Sequence, residues 1–283
     1  MGLFLRYARR SYGVHDAAVV MAAAFAVSAL LGMLRQLLLS ATFGDSAAAA
    51  AYYAAARLPE TLVTLVAGGA LTAALVPVLV READADQRRV VDALAAVVAV
   101  AVTCASLIGV AAAPWLVRAL LLPGSDADTQ ALTIGLTRVL FAQPLLLALA
   151  SLCTATLTVH TRFTLVAVAY VSHNLTIILG ILAARTWPAI SVYGPAVGLV
   201  GAAAVKLALV WWGTRLNESP LWFRWEPRLP QLRSILLLAL PTAASVTVNY
   251  SGTLVDTAYA SQIGVTAVAA LYSAWLLADM PTR

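Results

Sequence analysis

The sequence predicts an all-α, polytopic membrane helix bundle of about eight transmembrane helices, and three observations point there. Of 283 residues, 62% are hydrophobic and only 11% are charged, against roughly 25% charged in an ordinary soluble chain. The apolar runs reach the ~20 residues that a helix needs to cross ~30 Å of hydrocarbon, well beyond the ~4–8 residues of a buried strand. Short polar breaks separate these runs, and none is long enough to hold a soluble domain.

Taken in order, the first span is expected at about 17–42, after the basic start that holds Arg6, Arg9 and Arg10, and it closes at "FGDS". A second follows at 47–79 and is unusual: its stretch from Arg57 to Arg81 opens with Arg57, Pro59 and Glu60 and carries Gly68-Gly69 in its middle. Proline removes a backbone donor and glycine loosens a helix, so this span should be bent or broken and should line a cavity. The third, at 90–121, lies between "READADQRR" and "LPGSDADTQ"; the fourth, at 131–157, ends at "VHTRF". The fifth, at 163–184, carries the polar pair His173-Asn174 and ends at "ARTWP", and the sixth occupies 189–213. After the long segment "TRLNESPLWFRWEPRLPQLRS" come a seventh span at 235–260 and an eighth at 264–280.

Positive charge falls on alternate breaks. Arg81, Arg88 and Arg89 follow the second span, Arg162 the fourth, and Arg215, Arg224, Arg228 and Arg233 the sixth; the other breaks hold only Arg118 and Arg185 near their edges. This bias places the N-terminus in the cytoplasm. The net charge of +5 is therefore a topology signal, which argues against nucleic acid as a partner. The first apolar run is longer than the ~7–15 residues of a secretory signal. Cys104 and Cys153 both fall inside spans and are read as buried small hydrophobes, with no disulfide framework and no metal-ligand spacing. Asn174, Asn217 and Asn249 begin matches to the glycosylation pattern, all by chance on this topology. His15, His160 and His173 are scattered, and there is no nucleophile elbow and no phosphate-binding glycine loop, so no enzyme and no cofactor are expected.

An internal repeat is present. "SATFGDSAAAAAYYAAARLP" and "YASQIGVTAVAALYSAWLLADMP" align Gly44 with Gly264, Ala47 with Ala267, Ala50 with Ala270 and Tyr52 with Tyr272 at one offset. Six spans separate the two copies, and an even number per repeat gives parallel repeats about an axis along the membrane normal.

The stretches "LLGMLRQLLLSATFG", "AARLPETLVTLVAGGALTAALVPVLVRE", "AAPWLVRALLLPG", "ASLCTATLTVHTRFTLVAVAYVSHNLTIILG" and "VTVNYSGTLVDTAYASQIG" resemble, in order and spacing, the MurJ (MviN) family of lipid II flippases. That family belongs to the multidrug/oligosaccharidyl-lipid/polysaccharide exporter superfamily. The resemblance implies an N-terminal six-helix lobe over 1–216, a cytoplasmic interfacial linker over 217–234, and the first two helices of a second, truncated lobe over 235–283. It also implies a bacterial cytoplasmic (inner) membrane protein that moves a lipid-linked phosphorylated sugar, the peptidoglycan precursor, by alternating access. The partners implied are that substrate, the membrane lipids, and a second lobe or partner subunit.

An arginine in mid-membrane is costly and is by default a functional-site candidate. Arg35 and Arg57 fit, and the family carries basic residues at both positions; a guanidinium fork suits phosphate oxygens. Both also lie near a span end, where snorkelling or pairing with Asp45 or Glu60 is the alternative. Glu60, Arg138 and Asn174 complete the candidate substrate-binding set, with Asn174 also suited to an interhelical hydrogen bond. Asp256, with Asn249, resembles part of a monovalent cation site, so cation or proton coupling is implied. Against this, the chain has Ala29, Ala50, Val63-Thr64, Gly68 and Leu276 where most of the family carries charged groups around its headgroup cavity. Few charges then remain to complement a pyrophosphate. A small-molecule or other polysaccharide-lipid exporter of the superfamily, or a degenerate non-transporting membrane protein, are the alternatives.

Overall fold

A computed structural model describes residues 13–44, 46–67, 70–81, 84–217 and 220–279. Among them the elements are helical: α1 Val14–Phe43, α2 Ala47–Ala67, α3 Ala70–Leu79, α4 Asp84–Leu116, α5 Ala127–Leu140, α6 Gln143–Val159, α7 Thr164–Thr186, α8 Tyr193–Leu216, α9 Pro230–Ile263 and α10 Val265–Asp279. Five runs among the described residues are long and apolar enough to cross a membrane: His15–Phe43, Asp86–Leu121, Ala127–Val159, Thr164–Thr186 and Tyr193–Leu216. These are the first, third, fourth, fifth and sixth expected spans.

Local chemistry sets the ends. α1 stops because Gly44 takes φ +55°, a left-handed conformation that costs glycine little, and its N–H closes the helix onto the Ser40 carbonyl at 2.8 Å. The Ser46 hydroxyl accepts the Ala49 N–H at 3.2 Å as α2 begins. Asp126 caps α5, accepting from the Thr129 N–H at 2.9 Å and its hydroxyl at 2.8 Å. Pro230 opens α9, where its missing donor is not needed.

The second expected span is described as α2 and α3, with Pro59 and Pro77 inside them; positions 68–69, where the bend or break is expected, lie outside the described residues. The fourth was expected to be continuous, and it breaks at Phe141–Ala142, before Pro144. A proline this early in α6 forbids a hydrogen bond back into α5, and the Phe141 ring turns onto Gly109 of α4, where a Cβ would collide with it. The third span ends in a π-helical turn, Val117–Leu121, after Pro114; this wider turn absorbs the register that the proline disrupts.

Small residues hold the bundle together. α7 and α8 pack antiparallel at backbone contact: a Cβ on Gly180 would lie 2.6 Å from the Gly194 carbonyl oxygen, and one on Gly198 would lie 3.1 Å from the Gly180 Cα. Because lipid offers no hydrophobic drive between helices, close backbone approach and interhelical hydrogen bonds must supply the attraction. The hydrogen bonds appear between α1 and α7, which run parallel. Asn174 Nδ2 donates to the Ser28 carbonyl at 3.0 Å and to its hydroxyl at 2.9 Å, and the Ser28 hydroxyl donates to the Tyr170 carbonyl at 3.2 Å. Cys153 is buried as expected, but Cys104 is exposed. It lies on the outward face of α4 with Ala101, Leu107 and Ile108, which are also exposed.

The segment after α8 clasps the start of α4. The Trp222 N–H donates to Asp92 Oδ1 at 2.8 Å, Arg89 pairs with Glu226 at 2.8 Å, and Arg224 grips the same carboxylate. Trp222, Phe223 and Trp225 are exposed, as befits a segment lying at a membrane interface. Hydrogen bonding from Arg89, reinforced by the charges of Arg224 and Arg89, holds the Glu226 carboxyl below the usual range. A depressed carboxyl contributes its stabilisation above the ordinary value of about 4.3 and loses it as pH falls below that. Amides of 220–229 should therefore lose hydrogen-exchange protection, corrected for intrinsic rate, between pH 6 and pH 3.5, and Glu226→Gln should show the acid pattern at pH 6. Separately, Asn174→Ala should loosen α1 from α7 by about 1 kcal/mol, measured by unfolding in mixed micelles.

Candidate functional site

The two Tyr52- and Tyr272-bearing segments of the internal repeat meet in space. On α2, Tyr53 stacks on Tyr272 of α10, with centroids 4.1 Å apart and planes 19° apart, and Tyr52 packs edge-on to Tyr53 at 5.7 Å. Arg57, one turn beyond Tyr53, lays its guanidinium over the Tyr272 ring at 4.7 Å and is only 8% exposed. Gln36 of α1 donates to the Tyr53 hydroxyl at 2.8 Å. Arg57, Tyr272, Tyr53 and Gln36 thus form one stacked, hydrogen-bonded series across α2, α10 and α1.

Arg35, Gln36, Tyr52, Tyr53, Glu60 and Tyr272 surround a cavity of about 30 Å³. That is the space of one water, so the cluster is closed around its own side chains. α2 delivers these groups because Tyr53, Arg57 and Glu60 recur at helical spacing, while Ala54, Ala55 and Ala56 between them let neighbouring helices approach. Arg35 reaches the same cavity from α1, and its charge acts on Tyr52 and Tyr272 together with that of Glu60.

The structure therefore brings Arg35, Arg57 and Glu60 together. Asn174 stands apart as the clamp between α1 and α7, the interhelical role its chemistry suits. Arg138 is exposed on α5: Leu136 and Leu140 face the Tyr52–Tyr53 cluster, and a residue two positions from each points the opposite way. Asp256 is exposed on α9, whose buried face is Thr253, Thr257 and Ala260. Asn249 lies in α9, with its side chain outside the described residues, as are Asp45 and Gly68. Three groups were not singled out as site residues in the sequence. Tyr272 entered only as the repeat partner of Tyr52, Gln36 looked like an ordinary span residue, and Lys206 sat unremarked in the sixth span, although a lone lysine among arginines was a legible signal. A larger cavity of about 200 Å³ opens near the interfacial segment, lined by Gln87, Arg88, Asp92, His160 and Asn217 among others; charges of both signs line it, and sequence reading pointed to none of them.

The sequence profile of the family described as lipid II flippase MurJ matches residues 39–283. The chain belongs to the MurJ family. It is 27% identical over 266 residues to a lipid II flippase MurJ from Burkholderia cenocepacia, covering 90% of this chain and 51% of that protein. To a probable lipid II flippase MurJ from Rhizobium meliloti it is 29% identical over 245 residues, covering 83% of this chain and 45% of that one. The chain thus spans about half the length of the relatives it matches. Among solved structures, a lipid II flippase MurJ in an inward closed conformation superposes with a TM-score of 0.76 at 19% identity, over 93% of this chain and 55% of that one. A MATE P26A mutant superposes with a TM-score of 0.67 at 16% identity, over 98% and 63%. The fold is that of these helical bundles, and the MurJ family is one of multi-pass membrane transporters rather than enzymes.

Replacing Tyr272 by Leu should remove the face that solvates Arg57 and cost about 2 kcal/mol, read as a shift in the mixed-micelle unfolding midpoint. Tyr272→Phe should retain most of it.

Proposed function

We propose that this chain supplies the N-terminal lobe, over 1–216, and the first two helices of the second lobe, over 235–283, of a flippase that carries a lipid-linked phosphorylated sugar across the bacterial cytoplasmic membrane. The substrate is lipid II, the lipid-linked peptidoglycan precursor, and the N-terminus faces the cytoplasm. The observation that carries this reading is Arg57: an always-charged guanidinium, nearly buried, grouped with Arg35 and Glu60 and sheltered by an aromatic ring. A charge in that setting is retained for a function, and its planar donors match pyrophosphate oxygens. Family membership, and relatives described as lipid II flippases, support the same substrate class.

The closed cavity gives the mechanism its shape. A space of about 30 Å³ admits no headgroup, so α10 must draw Tyr272 away from Arg57 before phosphate can replace the ring. Headgroup binding and helix movement are then one event, as alternating access requires. Asp256 and Asn249, on α9, are assigned to cation or proton coupling. No covalent step and no nucleotide hydrolysis is part of this scheme.

One feature favours the runner-up, a small-molecule or drug exporter. Ala50, where the family carries an acid, is fully buried among Ala113, Val117 and Leu121, so that polar wall has become apolar core. In cells depleted of their own lipid II flippase, the gene should restore growth, and Arg57→Glu should abolish rescue while membrane insertion persists. Undiminished rescue by the variant sinks the assignment; competition by small cationic drugs but not by lipid-linked pyrophosphate selects the runner-up.

A further inference from the structure

The segment between α8 and α9 is bound to the bundle by its backbone and its leucines, and it turns its aromatic side chains out. The Trp222 N–H donates to Asp92 Oδ1 at 2.8 Å, and the Arg224 N–H donates to the Asp92 carbonyl at 3.3 Å. Leu221 and Leu229 pack against the core that α3, α4 and α6 share. Between these anchors Trp222, Phe223 and Trp225 stay 64%, 61% and 62% exposed. Three large aromatic faces are unfavourable in bulk water. At the headgroup level of a bilayer the same indoles are favoured.

Beside Trp225 the surface opens into a cleft of about 620 Å³, lined by Arg89, Trp225, Glu226, Pro227, Arg228 and Pro230 among others. Its lining carries two arginines against one carboxylate, and Arg89 and Arg224 already hold that carboxylate. Arg228 is exposed and makes no ion pair among the described residues. The cleft also meets the start of α9, where Leu229 offers no side-chain bond to the first amides, and the positive end of the helix dipole favours an anion. Pro230, Arg233, Leu237 and Leu240 recur at helical spacing and are all exposed, so one stripe runs from the cleft along α9, cationic at its head and apolar beyond. A cation-lined cleft at the head of an apolar stripe matches the two-part chemistry of an anionic lipid.

We propose that this cleft binds an anionic phospholipid of the cytoplasmic leaflet, with Arg228 and the half-exposed Arg89 on the phosphate, the Trp225 indole beside the glycerol, and the acyl chains along Leu237 and Leu240. The guanidinium fork suits the two free oxygens of a phosphodiester. A zwitterionic lipid offers the same phosphate but adds a quaternary ammonium, which the arginines repel. No residue of the cleft belongs to the Arg57 cluster, so this is a lipid site additional to the substrate cavity. The choice of leaflet rests on the proposed orientation; the cleft and its chemistry do not.

Native mass spectrometry of the detergent-purified chain counts the lipids it holds. Titrated with phosphatidylglycerol or with phosphatidylcholine of the same acyl chains, the unsubstituted chain should bind its first phosphatidylglycerol several-fold more tightly. Arg228→Gln should weaken that step about fivefold and leave phosphatidylcholine unchanged, with Arg228→Lys falling between. Arg185→Gln, at an exposed arginine on the opposite end of the bundle, should change neither lipid. Equal binding of the two lipids by the unsubstituted chain overturns the site, and no substitution enters that comparison. An equal loss in Arg228→Gln and Arg185→Gln also overturns it, because general charge attraction then accounts for the preference. So does a dimer that Arg228→Gln disperses, with no preference for phosphatidylglycerol, since the cleft is then a contact between copies. Growth rescue, which tests the flippase reading, does not enter this titration, so the two can fail separately.

Discussion

A cation inside hydrocarbon has lost its water, and this bundle returns part of that solvation with aromatic faces. Arg57 lies over Tyr272, Lys206 over Tyr170, and Arg215, at the end of α8, over Trp211 at 4.0 Å. Each ring presents its negative quadrupole face to the charge, and the two tyrosines are anchored by a further contact. Tyr272 stacks on Tyr53, and Tyr170 meets Phe25 edge to face at 5.0 Å. Such solvation is easily reversed, because a ring can withdraw where a carboxylate partner would hold.

The rings can reach the cations only because the helices approach closely. Gly180, Gly194 and Gly198 let α7 and α8 touch through their backbones, which brings Tyr170 within reach of Lys206. On α2 the alanines from Ala49 to Ala56 are nearly all inaccessible, and they allow α10 to lie near enough for Tyr272 to meet Tyr53 and Arg57. Leu or Ile in those places would fill the space and separate the charges from the faces that solvate them. Small-residue packing and cation solvation are therefore one design feature.

An interruption serves the same arrangement: α5 and α6 share one span that breaks at Phe141. A straight helix presents one face along its whole length; a broken one can turn its polar half to the cavity and its apolar half to the core. At the other end of the bundle, the clasp of Asp92 and Arg89 on the interfacial segment ties α4 to the entry of α9, so that movement of α9 and α10 would pass through ionic contacts exposed to water.

Composition and run length determined the membrane class and the helical architecture, because hydrocarbon tolerates only chains that satisfy their own backbone. The cost of buried charge singled out Arg35 and Arg57 one residue at a time. The break at Phe141 was not legible: Pro144 is compatible with a continuous span until the Phe141 ring finds Gly109. Arg138 and Arg57 look equivalent in sequence, both cations inside spans, yet helical phase turns one outward and buries the other. The places of Tyr272 and Gln36 in the cluster, and the approach of Lys206 to the Tyr170 ring, depend on contacts between helices. Periodicity along one helix carries no information about the rotation of its neighbour, and that rotation, set by where glycine and alanine permit close approach, is what only the tertiary structure decided.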